Sequence, residues 1–377
     1  MQSDQPKNIV IFSDGSGQDG GRSNLDEKSR NSNVYKAFSM IKNRTPEQVA
    51  FYHVGVGVDR YRYTGFIGGA GFSQDILDCY NLIFDHYTIG DQIYLLGFSR
   101  GAATVRSLAS FIEMFGILPT GRHRLITDAF EIYRIRDAEK RQREAKKFRN
   151  RNYPIPVDIK FLGVWDTVAA LGLPTIPFIE WILNLLPSTR HKFHDFTLPD
   201  NVKNAYQALA IDDRRPSFEP LIWQKPSSDD NRAVKQVWFA GSHSDVGGGF
   251  ERGEQQLSDI ALEWMLHYAT SHGLQLQHIT EKEPSFRRMP ILYPSVNGII
   301  HDSAKFFPYN ILPKRSRGEL WNAEIHGDLV VHQSVLDRAN NPENNYSPWV
   351  LEKPHTVEPY MALNYTRREG SYGTTSG

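Results

Sequence analysis

Ile93-Tyr94-Leu95-Leu96-Gly97-Phe98-Ser99-Arg100-Gly101-Ala102-Ala103 runs from an apolar strand through a G-x-S-x-G pentad into a helical pattern. Ala103, Val105, Leu108, Ile112 and Phe115 then recur near the 3.6-residue period. The string predicts a buried strand over Gln92–Leu96, a sharp bend at the serine and a helix over Ser99–Phe115. Glycine suits positions 97 and 101 because so tight a strand-to-helix turn presses neighbouring backbone against both, where a side chain would collide. The bend is expected to leave the Ser99 hydroxyl exposed. The amino end of the following helix favours developing negative charge, and the backbone N–H of Arg100 is placed as one half of an oxyanion hole.

Working outward, short apolar runs alternate with helical patterns through the first 250 residues. Strands are predicted at Asn8–Ser13, Val49–Val54, Gln92–Leu96, Ile159–Trp165, Ala205–Ile211 and Val234–Ala240, with further helices at Ser73–His86 and Leu257–Ser271. This alternation predicts an α/β protein with a mostly parallel central sheet flanked by helices. Each strand ends in a cluster of Gly, Asp, Ser or His. Parallel strands would bring those clusters to one rim, where α/β sheets bind their ligands.

A serine hydroxyl needs a base, and the sequence offers 13 histidines. His243, in Ala240-Gly241-Ser242-His243-Ser244-Asp245-Val246-Gly247-Gly248-Gly249, is delivered to the Ser99 rim by a buried strand; His332, after Leu329–Val331, is its competitor. The acid that orients the ring is Asp166, ending Phe161-Leu162-Gly163-Val164-Trp165-Asp166, or the Asp212/Asp213 pair, with Asp245 as a supporting carboxylate. The order Ser99, Asp166, His243 is that of α/β-hydrolases. The turn Asp14-Gly15-Ser16-Gly17 after the first strand supplies the second oxyanion donor from the N–H of Gly15 or Ser16. It lacks the G-K-[ST] ending of a phosphate loop, and Gly65–Gly71 lacks the register of a dinucleotide fingerprint, so that stretch reads as a loop at the site rim.

Composition narrows the field further. Forty-three basic against 43 acidic residues give no net charge to steer the molecule toward nucleic acid. A lone cysteine, Cys79, excludes an internal disulfide and a cysteine zinc cluster. Ile9–Phe12 is too short and too late for a signal-peptide core, so the expectation is a cytoplasmic protein or one exported without a cleavable signal. Within Leu173–Leu186, the uninterrupted part Phe178–Leu186 would form only about 14 Å of helix, too short to span a bilayer. That segment, with Phe178, Trp181, Ile182 and Leu185 on one side, reads either as a lid meeting a lipid or as a helix on the core. Arg134–Arg151 holds nine basic and three acidic side chains, either a solvated helix face or a surface for anionic headgroups, hence peripheral membrane contact. The expected organisation is a core over 8–250, with 116–200 partly a cap or lid insertion, a carboxyl-terminal helix and irregular extension over 251–366, and a disordered tail over 367–377.

Five blocks carry a family resemblance: Phe12-Ser13-Asp14-Gly15-Ser16-Gly17, Gly97-Phe98-Ser99-Arg100-Gly101-Ala102, Gly163-Val164-Trp165-Asp166-Thr167-Val168, Ala208-Leu209-Ala210-Ile211-Asp212-Asp213-Arg214-Arg215 and Gly241–Gly249. In this order, over about residues 8 to 250, the chain resembles the DUF2235 family of α/β-hydrolase-like proteins, which includes Tle1-type phospholipase effectors of type VI secretion. The resemblance implies an esterase or lipase with Ser99 as nucleophile and, in the effector branch, phospholipase A activity. The residues themselves point to a serine hydrolase acting on a lipid or small ester, with no metal or organic cofactor. Two rivals are a catalytically silent ligand-binding protein and a metal-dependent hydrolase using Asp14, Asp166, His243 and Asp245.

Overall fold

The computed structural model describes residues 5–15, 18, 30–54, 70–168, 198–227, 230–277, 290, 292–306, 309–361 and 363. In chain order these form β1 (Asn8–Ser13), α1 (Asn33–Met40), β2 (Gln48–His53), α2 (Ala70–His86), β3 (Gln92–Phe98), α3 (Arg100–Phe115), α4 (Arg124–Tyr133) and α5 (Ala138–Asn152). There follow β4 (Ile159–Trp165), β5 (Asn204–Ala210), β6 (Ala233–Phe239), α6 (His243–Gly247), α7 (Gln256–Ser271), α8 (Ala323–His326), β7 (Val330–His332), α9 (Gln333–Asn340) and β8 (Thr356–Glu358). The six predicted strands and three predicted helices are all present, most with ends shifted by one to three residues.

The strands make one sheet in the order β2-β1-β3-β4-β5-β6-β7-β8, and every neighbouring pair is parallel. Both faces are covered, as a parallel sheet requires. Along β1 and β3 the side chains alternate between two cores. Ile9, Ile11, Ile93 and Leu95 pack with residues of α2, α3, α4 and α5, whereas Val10, Phe12, Tyr94, Leu96 and Phe98 pack with α1 and α7. The order reverses between β1 and β3, the switch point at which the crevice beyond the carboxyl ends opens. Register puts Ser13 beside Gly97 and Phe98 beside Trp165, so the loops after β1, β3 and β4 leave the sheet together.

The carboxyl-terminal part is less irregular than its sequence suggests. It extends the sheet by β7 and β8 and adds a third core in which Trp321, Val331, Val335 and Val350 pack on Leu209 and Trp238. Each of those strands is three residues long, too short to show a period of two. The basic run is mostly helix α5. Asp137 caps it by accepting the Lys140 N–H, and Ala145 and Phe148 face the core. Arg141 and Arg149 are tied to the carbonyls of Ile135 and Met114, while Lys140, Arg143, Lys146, Lys147 and Arg151 are exposed. No helix among the described residues is long and apolar enough to cross a membrane. Most of the Gly65–Gly71 loop, the Leu173–Leu186 segment and the 367–377 tail lie outside the described residues.

Candidate active site

The bend at Ser99 is built as the glycine spacing demands. A Cβ on Gly97 would stand 2.6 Å from the carbonyl oxygen of Gly101, and one on Gly101 would stand 2.1 Å from that of Ser13. Ser99 has φ 57° and ψ −120°, a region costly for a residue with a side chain, and its N–H donates to the Trp165 carbonyl at 3.1 Å. That bond ties the Ser99 turn to the end of β4. The expected open exposure is not what the structure has: Ser99 keeps 8% of its surface. The crowding includes Gly15, whose Cβ position lies 3.3 Å from the Ser99 Cβ, and the His243 ring.

The Ser99 Oγ lies 2.8 Å from His243 Nε2, and His243 Nδ1 lies 2.5 Å from Asp166 Oδ2. These residues come from three chain ends: the turn after β3, the first residue of α6 and the residue after β4. His243 packs against two phenyl rings, Phe98 at 4.7 Å and Phe218 at 5.0 Å between centroids. Gly247 makes room for the first of these, since a Cβ there would fall within 1.9 Å of the Phe98 ring. Asp166 is fully buried and sits at φ 40°.

One residue of this constellation went unforeseen. Arg317, itself buried, grips the Asp166 carboxylate with both terminal nitrogens, Nη1 to Oδ1 at 2.6 Å and Nη2 to Oδ2 at 2.9 Å. It also donates to the carbonyls of Ala210 and Phe218, each at 2.7 Å. Burial by itself would raise the Asp166 pKa; the Arg317 charge and the hydrogen bonds from His243 and Arg317 outweigh it and hold the carboxyl well below the usual carboxylate range. Arg317 stands 151 positions from Asp166, in a short 3-10 turn with no motif around it, so no sequence signal pointed to it.

The competing acids hold the backbone near His243 rather than its ring. Asp213 accepts the His243 N–H at 3.2 Å and is itself paired with Arg215 at 2.6 Å. Asp212 accepts the Gly241 N–H at 2.6 Å and the Tyr346 hydroxyl at 2.8 Å. Asp245 caps α6 through the N–H and hydroxyl of Ser242 and pairs with His301 at 2.6 Å. His332 is buried elsewhere, bonded to Ser334 Oγ at 2.8 Å and stacked on Phe239; burial pushes its pKa down to about 4.

Around Ser99, Arg100 opens α3, in the first turn whose N–H groups have no preceding helical carbonyl. The Gly15 N–H is directed at the carboxylate of Asp14, 2.6 Å away. Ser16 lies outside the described residues. Of the four side chains of the metal reading, Asp166 and His243 bond to each other, and Asp14 and Asp245 bond to other partners. Asp14 accepts from Ser32, Tyr52 and Gly15, Asp166 is taken by Arg317 and His243, and Asp245 by Ser242 and His301. Among the described residues no three His, Cys, Asp or Glu side chains gather as a metal would require.

A serine on a strand-to-helix bend, at the carboxyl edge of a parallel sheet and facing an imidazole, defines an α/β-hydrolase-like protein. The chain belongs to the family of type VI secretion phospholipase effectors described as Tle1-like, catalytic domain, whose family model matches residues 7–268. The uncharacterized protein YEL023C of Saccharomyces cerevisiae is 27% identical over 244 residues, covering 58% of this chain and 33% of that protein. An uncharacterized protein from Pseudomonas aeruginosa has a similar structure, with TM-score 0.50, 19% identity and coverage of 72% of this chain and 47% of that one. The Tle1 effector bound to the VgrG spike of the type VI secretion system has TM-score 0.37 at 18% identity, covering 65% and 51%. The chain thus spans a third of the yeast relative and about half of each solved neighbour.

Proposed function

We propose that the chain is a serine hydrolase of carboxylic esters, with phospholipids or other long-chain esters as its substrate class. The observation that carries this reading is the unbroken relay Ser99 Oγ, His243 Nε2, His243 Nδ1, Asp166 Oδ2, with links of 2.8 and 2.5 Å. Ser99 attacks the ester carbonyl carbon while its proton passes to His243 Nε2, and Asp166 holds the Nδ1 proton and stabilises the imidazolium. The Arg100 N–H and the α3 amino end take the developing oxyanion charge. Collapse of the tetrahedral intermediate expels the alcohol, which leaves with the proton from His243. Water then hydrolyses the acyl-enzyme by the same steps in reverse.

A second oxyanion donor comes from the loop after β1. For Gly15 to serve, its N–H must turn from Asp14 toward the substrate; Ser16 is the other donor from that loop. Family membership supports the lipid substrate and export by a type VI secretion machine, and the exposed cations of α5 suit an anionic lipid surface. A panel of phospholipids and p-nitrophenyl esters of graded chain length, run on wild type beside Ser99→Ala, tests the reading. Cleavage of long-chain esters that vanishes in the variant supports it. A short-chain profile removes the lipid claim, and activity that survives Ser99→Ala removes the mechanism.

A further inference from the structure

We propose that Arg317, which lies beyond the span matched by the family model, is a positioning residue of the catalytic relay: its guanidinium locks the Asp166 carboxylate as an ionised, correctly turned acceptor for His243. The inference rests on the serine-hydrolase reading and extends it, because it makes the carboxyl-terminal part of the chain a component of the site.

The geometry carries the argument. A carboxylate offers about four acceptor positions. Asp166 fills them with Arg317 Nη1 and the Ala210 N–H on Oδ1, at 2.6 and 3.0 Å, and with Arg317 Nη2 and His243 Nδ1 on Oδ2, at 2.9 and 2.5 Å. A carboxylate held at every acceptor site cannot rotate away from the imidazole. The planar fork of arginine fits this bidentate task, and lysine would supply the charge without the fork. The turn bearing Arg317 is fixed in its own right. Ser316 Oγ accepts the Gly318 N–H at 3.2 Å, and a Cβ on Gly318 would meet the Trp349 ring at 2.8 Å.

Other charged groups approach the pair from each neighbouring element. After β5 stand Asp212, Asp213 and Arg215, the last paired with Asp213. On α6 stands Asp245 with its His301 partner, and after β1 stands Asp14, bonded to the hydroxyls of Ser32 and Tyr52. At the start of α3, Arg100 interacts with Asp75. Among the described residues, Arg317 is the cation in direct contact with the Asp166 carboxylate. Without its charge, the buried pair of Asp166 and His243 takes up a proton more readily, and a protonated pair cannot accept the proton of Ser99.

The test compares wild type, Arg317→Gln and Arg317→Lys, each checked for folding by thermal melting. Two titrations are read: kcat/KM for a p-nitrophenyl ester against pH, and the proton NMR resonance of the His243 Cε1–H against pH. In Arg317→Gln both move to higher pH, which makes the loss of kcat/KM about fivefold larger at pH 6 than at pH 8. Arg317→Lys returns both titrations toward wild type but leaves the plateau kcat reduced, because the fork is lost. A folded Arg317→Gln variant whose two titrations coincide with those of wild type overturns the inference, whatever its melting temperature. If Arg317→Gln does not fold, Arg317→Lys decides: a lowered plateau supports the role, and a profile identical to wild type overturns it. A wild type without esterase activity sinks the hydrolase reading, and the NMR titration still reads the effect of Arg317 on the pair.

Discussion

Asp166, fully buried, and Asp212, half-buried, sit just past the ends of neighbouring strands, β4 and β5, and their carboxyl groups shift in opposite directions. Asp166 faces the Arg317 guanidinium and is held well below the ordinary carboxylate range. Burial drives Asp212 up to about 6, with Asp245 adding to the rise, while the Gly241 N–H, the Tyr346 hydroxyl and the Arg338 charge only partly oppose it. Desolvation alone would raise both; a cation in direct contact reverses the outcome at one of them. Of the two, Asp166 is the one with an arginine in direct contact among the described residues.

The comparison can be broken first by activity. Asp166→Asn should lower kcat by about 10⁴, because an amide fixes the wrong imidazole tautomer, whereas Asp212→Asn should change it by less than about threefold. Ester hydrolysis by the two purified variants checks this, and equal losses would erase the distinction. Stability gives the next largest contrast. Arg317→Met leaves the buried Asp166 without its arginine partner and should cost about 3–5 kcal/mol in chemical denaturation, and adding Asp166→Asn should recover much of that loss.

The pH dependence sharpens the contrast further. The unfolded value of an aspartate is about 3.9. Asp212 is raised above it, so its contribution to stability is complete below about pH 4 and is lost as pH rises through about 6. Asp166 is depressed, so its contribution is present above about pH 4 and is lost as pH falls through its folded value. Asp212→Asn should therefore raise the melting temperature at pH 8 by about 2–4 °C and leave it nearly unchanged at pH 4. A gain that is the same at both pH values would show that Asp212 does not titrate in this window. The smallest expected effect is that of Tyr346→Phe. It removes one hydrogen bond to Asp212 and should cost about 1 kcal/mol at pH 8, less at pH 4, by denaturant titration.

Much of this architecture was legible in the sequence because it is encoded locally. The strand through Leu96, the glycines at 97 and 101 and the periodic helix from Ser99 announce one another within a few positions. The same holds for β1 with its Asp14-Gly15 turn and for β6 with the His243 loop. Three things were not legible, each for a physical reason. β7 and β8 are so short that their place in the sheet is fixed by pairing with β6 and with each other, which no local pattern records. The tasks of Asp212 and Asp213 depend on which atoms of the 241–243 backbone they reach, and strand-end position alone left them as rivals to Asp166. Arg317 acts across 151 residues through one side chain. Its neighbours Ser316 and Gly318 mark a turn, not a partner.

The proposed hydrolase stands on the Ser99 hydroxyl and the His243 imidazole 2.8 Å from it. Tryptic mass spectrometry after incubation of the folded protein with a fluorophosphonate at pH 8 measures that directly. The adduct should fall on the peptide carrying Ser99, disappear in Ser99→Ala and form at least about 10³-fold more slowly in His243→Ala. Folded wild-type protein that takes up no label, or that carries it on another residue while Ser99→Ala keeps full esterase activity, would contradict the account.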